Sequence, residues 1–150
     1  MAAGRADPAR APGLGLIAPL IAAAAGWWLA GLGWTVQATA YPAFADVAPD
    51  RWAAHHAAHS RRISWAVGPA WAVQAGATAW WLVSEPGPLS AVHAVAAVTG
   101  VLVTAVWAVP AHQRLSDGFS LVVHRQLLRA NAMRAVVFTS AAVLASVGAA

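Results

Sequence analysis

Five of the six histidines, His55, His56, His59, His112 and His124, fall in or beside two polar stretches, 43–62 and 110–120, and Asn131 and Arg134 follow closely. Imidazole is the side chain that moves protons near neutral pH and the commonest nitrogen ligand for transition metals. His55 and His59 are four apart and share a helical face, and Arg62 extends that stripe. Such a pair can chelate a transition metal with His112 or His124 as a third ligand. It can equally be an interfacial segment whose histidines sit in headgroup water. Spacing alone leaves both readings open.

The C-terminal segment is more specific. At 100° per residue, His124, Asn131 and Arg134 fall within an arc of about 80°, whereas Arg125 and Arg129 point away. His124 and Arg134 are about 15 Å apart along a helix axis, so they cannot both touch one ion. Only sixteen residues follow Arg134. It therefore lies at or just inside the edge of any hydrocarbon layer this helix crosses, at a cost of roughly 1–3 kcal/mol unless it faces a polar interior. No acidic residue lies in an apolar run to pair with it, because Asp46, Asp50 and Asp117 are all in the polar stretches. A buried cation without a fixed carboxylate suits an anionic or enolate-like ligand, or the end carbonyls of neighbouring kinked helices.

The elements that must position these groups follow from composition. Of 150 residues, 60% are hydrophobic and 9% charged, too few charges to clothe a soluble domain. Apolar runs at about 14–40, 63–83, 89–109 and 120–150 are separated by Tyr41-Pro42, Glu85-Pro86-Gly87-Pro88 and Pro110. Each can cross a layer about 30 Å thick as a helix, and Pro69 is expected to kink the second. The fold class is thus all-α, an integral membrane four-helix bundle at 13–150 behind a disordered leader at 1–12. A cleaved signal peptide ending at Ala38-Thr39-Ala40 is the rival for the first run, but its apolar core is too long.

Most arginines flank the 1–2 and 3–4 connections, which places both connections in the cytoplasm of a multi-pass inner-membrane protein. A net charge of +4 on so apolar a chain fits anionic headgroups better than nucleic acid. The absence of cysteine excludes disulfides and thiolate chemistry. Trp65, Trp80 and Trp81 fit an interfacial belt, while Trp27, Trp28 and Trp71 are core or pocket residues. His93 stands alone near the opposite face and reads as structural.

Pro110-Ala111-His112-Gln113-Arg114-Leu115, followed by Leu127-Leu128-Arg129-Ala130-Asn131-Ala132-Met133-Arg134, is similar to motifs in a family of small four-helix membrane proteins that includes the anthrone oxygenases of polyketide pathways. Tyr41-Pro42 and the polar stretch from His55 to Arg62 resemble its other landmarks. His112 stands where the oxygenases have Asn, and Ala132 where many bacterial members have an aromatic residue. The resemblance implies oxidation of a lipophilic aromatic substrate by molecular oxygen in natural product biosynthesis. His59 or His124 would be the base, Asn131 and Arg134 would stabilise the anion, and Tyr41, Arg62 and Arg114 would contact substrate. A metal version would hold copper or iron on His55, His59, His112 and His124. Membrane lipid, a lipophilic small molecule and a second copy of the chain are the expected partners. The competing function is a non-catalytic membrane subunit that binds a partner or anionic lipid through its Arg-rich face.

Overall fold

A computed structural model describes residues 14–150; the leader at 1–12 lies outside them. Four long helices fill the described residues, without a strand. Helix α1, Leu14–Thr35, runs on through a π turn at Val36–Ala40 and a 3₁₀ turn at Pro42–Asp46. Helix α2 is Trp52–Ser84, α3 is Pro88–Ser116 and α4 is Leu121–Gly148. The principal packing runs α1–α4, α4–α3, α3–α2 and α2–α1, a closed ring of four.

Three helical stretches, Gly15–Asp46, Pro88–Ser116 and Leu121–Gly148, are long and apolar enough to cross a membrane. Helix α2 is long enough but less apolar. Its first turns carry three histidines and two arginines, and four tryptophans, Gln74 and Pro69 dilute the rest.

Two boundaries differ from the sequence reading for one physical reason. Proline has no N–H to donate and its ring collides with the carbonyl four residues back. Pro110 was expected to stop α3, yet the helix passes through it to Ser116. A π turn at Thr104–Ala108 precedes it, with Val109 N–H bonded to Thr104 O. The wider turn absorbs one extra residue and so makes room for the ring. Tyr41-Pro42 repeats the device: Tyr41 N–H reaches back to Val36 O at 3.0 Å, and Pro42 opens the 3₁₀ turn. Helix α2 also starts earlier than residue 63, because Trp52 buries itself and donates its indole N–H to Leu115 O at 2.7 Å. The start of α4 agrees with expectation, with Ser120 as its N-cap.

The α1–α4 seam is built from small residues. A Cβ added at Gly26 would sit 3.0 Å from Ala142 Cα, and one at Gly33 would sit 3.2 Å from Ala135 Cβ. Ala18, Ala22, Ala141, Ala142 and Ala145 are fully buried. Backbones this close gain many dispersion contacts. Tryptophans on the outer faces tie neighbouring helices by hydrogen bonds, Trp27 to Ser146 Oγ, Trp34 to Thr139 Oγ1 and Trp28 to Ala66 O. Trp27 and Trp28 are therefore exposed cross-ties, not core or pocket residues.

His93 is not alone. Its Nδ1 faces Ala141 O at 2.9 Å, while Gln74 Nε2 and Thr78 Oγ1 meet its Nε2 at 3.1 and 3.0 Å. A carbonyl requires a donor at Nδ1, and the Gln74 amide donates to Nε2, which holds one neutral tautomer. The ring links α2, α3 and α4, as a structural role requires.

Candidate functional site

The arc on α4 is the part of the sequence reading that the structure reproduces most directly. His124, Asn131 and Arg134 are all buried, and Arg125 and Arg129 are exposed. The Asn131 amide is partnered at both atoms: Nδ2 donates to Gly33 O at 3.0 Å and Gln37 Oε1 at 2.8 Å, and Oδ1 accepts from Arg134 Nη2 at 2.6 Å. Gly33, with no side chain, lets the amide reach the α1 backbone. Arg134 also interacts with the Tyr41 hydroxyl. The guanidinium is thus turned into the bundle, held by an amide beside a phenol, with no carboxylate paired to it among the described residues.

Tyr41 is gripped at both ends. Its backbone oxygen faces His124 Nε2 at 2.7 Å, and its hydroxyl lies 2.8 Å from His112 Nε2. His112 Nδ1 continues to His56 Nε2 at 3.1 Å. Tyr41, His112 and His56 therefore form a hydrogen-bonded chain that draws on α1, α3 and α2. Such a chain has two polarities, and moving from one to the other transfers a proton from phenol to imidazole. Both π turns serve this arrangement, since each lies within one or two turns of a member of the chain. An extra residue in a helix re-aims every side chain beyond it.

A cavity of about 250 Å³ opens between α2 and α3 beside these groups. Tyr41, His112 and Arg134 supply its polar wall, with Ser64 and Thr104 nearby. Val67, Trp71 and Ala108 supply the apolar one. The Trp71 indole N–H is buried without a partner among the described residues. The volume is just below the usual range of ligand pockets, and the balance of an apolar lining with a few convergent polar groups is typical of them.

The other sequence candidates are distributed differently. His59 stacks on His112, with ring centroids 6.0 Å apart, and packs edge-on against Phe44. Its Nε2 is buried and has no hydrogen-bond partner among the described residues. Together with His55 and Arg62 it lines a separate groove between α1 and α2, so Arg62 is not on the Arg134 cavity. Arg114 is not either; it lies in a groove between α3 and α4. The inward face of α2 is Trp52, His56, His59 and Ile63, displaced from the expected stripe of His55, His59 and Arg62. Trp52 stacks on His56 at 5.3 Å and sets that rotation.

The proposed chelate of His55, His59, His112 and His124 is not assembled. Among the described residues no three His, Asp or Glu side chains are placed to hold one metal ion. His55 packs on Phe44 and His124 is occupied by the Tyr41 carbonyl. His124, which must donate to that carbonyl, positions Tyr41 and has no free Nε2 with which to act as the base. Sequence reasoning assigned no role to His56 or Gln37. The apolar pair Trp52 and Ile63 at helical spacing marks the buried face of His56, and Gln37 is a lone amide in an apolar run.

Burial holds His59 down at about 4, with His56 and His55 adding to the effect, and burial lowers His56 as well. A histidine with a depressed folded-state value binds fewer protons than the unfolded chain does. Its contribution is present above the unfolded value near 6.5 and lost as pH falls through about 4. Thermal melts between pH 4 and 8 should show stability dropping on the acid side of that window. His59→Gln should flatten the drop, and an unchanged profile in that variant would remove His59 as its source.

Compared with known proteins, the chain matches no family model, no curated protein and no solved structure.

Proposed function

We propose that the chain is a four-span integral membrane oxidoreductase of the anthrone oxygenase kind, which binds a lipophilic, weakly acidic aromatic compound between α2 and α3 and oxidises it with molecular oxygen. The observation that carries this reading is the buried Arg134, held by Asn131 and Tyr41 at the wall of a largely apolar cavity. In a low-dielectric site a preorganised cation favours the charged form of an acid over its neutral form. The many apolar side chains on the outer helix faces, among them Leu20, Val95, Val98, Leu102 and Val136, support a lipid environment.

The steps follow from the hydrogen-bonded chain. Tyr41 passes its proton to His112 Nε2 as it takes one from the substrate methylene or phenol, and Arg134 stabilises the resulting anion. The anion gives one electron to oxygen, and the radical and superoxide combine to a peroxide. The peroxide takes the proton back from His112. Loss of water across the carbon–oxygen bond leaves a carbonyl, so that a methylene and one molecule of oxygen become a ketone and water. Tyr41–His112 is preferred to His59 as base because Tyr41 and His112 line the same cavity as Arg134, whereas His59 lines the separate groove between α1 and α2.

The test is oxygen uptake by purified protein in lipid discs with an enolisable tricyclic ketone. Stoichiometric uptake above the protein-free rate is the expected result, and His112→Phe should suppress it. A rate equal to the protein-free control across enolisable ketones and phenols would reject the oxygenase reading.

A further inference from the structure

A second groove, of about 380 Å³, lies on the outer face between α3 and α4 and takes no part in the Arg134 chemistry. Arg114 and Gln126 stand at its connection end, Arg129 lies midway along the α4 side, and Val106, Trp107 and Met133 line its far end. No carboxylate lines it, and neither arginine has an ion pair or hydrogen bond among the described residues. The two helices are antiparallel here, so the lining runs from Arg114 to Val106 on α3 and from Gln126 to Met133 on α4. That is about 12 Å of groove, cationic at one end and apolar at the other.

We propose that this groove is a binding site for one anionic phospholipid, with the phosphate between Arg114 and Arg129 and the first part of an acyl chain lying along Trp107 and Met133. Two guanidinium groups match a phosphate by charge and by donor geometry. A free phosphate would use the cationic end and leave the apolar end bare, so the polarity of the groove selects the lipid. The depth ordering agrees, since Arg114 and Arg129 lie toward the polar connection and Val106 and Met133 lie toward the helix middles. The site requires a bilayer around the bundle but not the oxygenase chemistry, and the two can fail separately.

The experiment is native mass spectrometry of the full-length protein released from discs made of equal phosphatidylglycerol and phosphatidylcholine. One phosphatidylglycerol should survive delipidation on the wild type. R114Q/R129Q should weaken its retention on the order of thirty-fold, at about five-fold per charge. R61Q/R62Q, which removes two exposed arginines outside the groove, should leave retention unchanged. Equal retention of both lipids, an equal loss in R61Q/R62Q, or complete displacement by millimolar inorganic phosphate would each overturn the proposal. Circular dichroism melts on R114Q/R129Q establish that a loss of lipid is not a loss of fold, and the single variants R114Q and R129Q supply the reading if the double variant unfolds.

Discussion

Arg134→Gln should lower substrate-dependent oxygen uptake by about 10²–10³-fold, the usual loss when a preorganised donor to a developing anion is removed. The substitution keeps a hydrogen-bonding amide but removes the charge and shortens the side chain. Asn131 Oδ1 now accepts from Arg134 at 2.6 Å and stands to lose that donor. Leaving it unpaired would cost about 1–3 kcal/mol, so the melting temperature should fall measurably without abolishing the fold. Two readouts separate chemistry from packing. Binding of an acidic phenol should weaken far more than binding of its methyl ether, because only the phenol can become an anion. Arg134→Lys should restore part of the rate, since the charge returns without the fork that reaches both Asn131 and Tyr41. If Arg134→Gln retained the wild-type rate, the cavity would not be an anion site.

The second large effect concerns the α1–α4 seam. Gly26→Leu should prevent recovery of folded protein in detergent, whereas Gly26→Ala should lower stability by about 1–3 kcal/mol. The reason is directional. The nearest atom to an added Cβ is Ala142 Cα at 3.0 Å, which is backbone and cannot rotate away. Gly31 is a control on the same helix, because nothing lies within 4 Å of its added Cβ. Gly31→Leu should fold as the wild type does. The pair is read by size-exclusion profile and thermal melt. Equal tolerance at Gly26 and Gly31 would mean that α1 and α4 do not approach as closely as the structure has them. Because Asn131 reaches Gly33 O across the same seam, a forced separation should also loosen Arg134. Gly26→Ala is therefore expected to impair the site although it lies two turns away.

Several features were legible in the residues. The Ala-rich apolar runs and the Glu85-Pro86-Gly87-Pro88 turn determine an all-helical chain, and the α4 positions 124, 131 and 134 determine one inward arc. Both are local consequences of helix geometry, a rise of 1.5 Å and a turn of 100° per residue. The absence of a carboxylate near Arg134 was also readable, since every Asp lies outside the apolar runs. The fate of each histidine was not. His55 and His56 are neighbours in sequence, yet one is exposed and the other buried, and Trp52 bonding across to Leu115 O decides which.

By itself, then, the sequence determined the helices, the polar end of the bundle and the inward face of α4, because each depends only on the order of residues along a regular helix. The tertiary structure decided that Tyr41 meets His112, that His124 holds a backbone oxygen instead of a proton or a metal, and that the arginines divide among separate grooves. These outcomes depend on two π turns and on the close α1–α4 contact. One extra residue rotates everything beyond it by about 100°, and whether the chain takes that residue in is settled by what the neighbouring helices offer on either side.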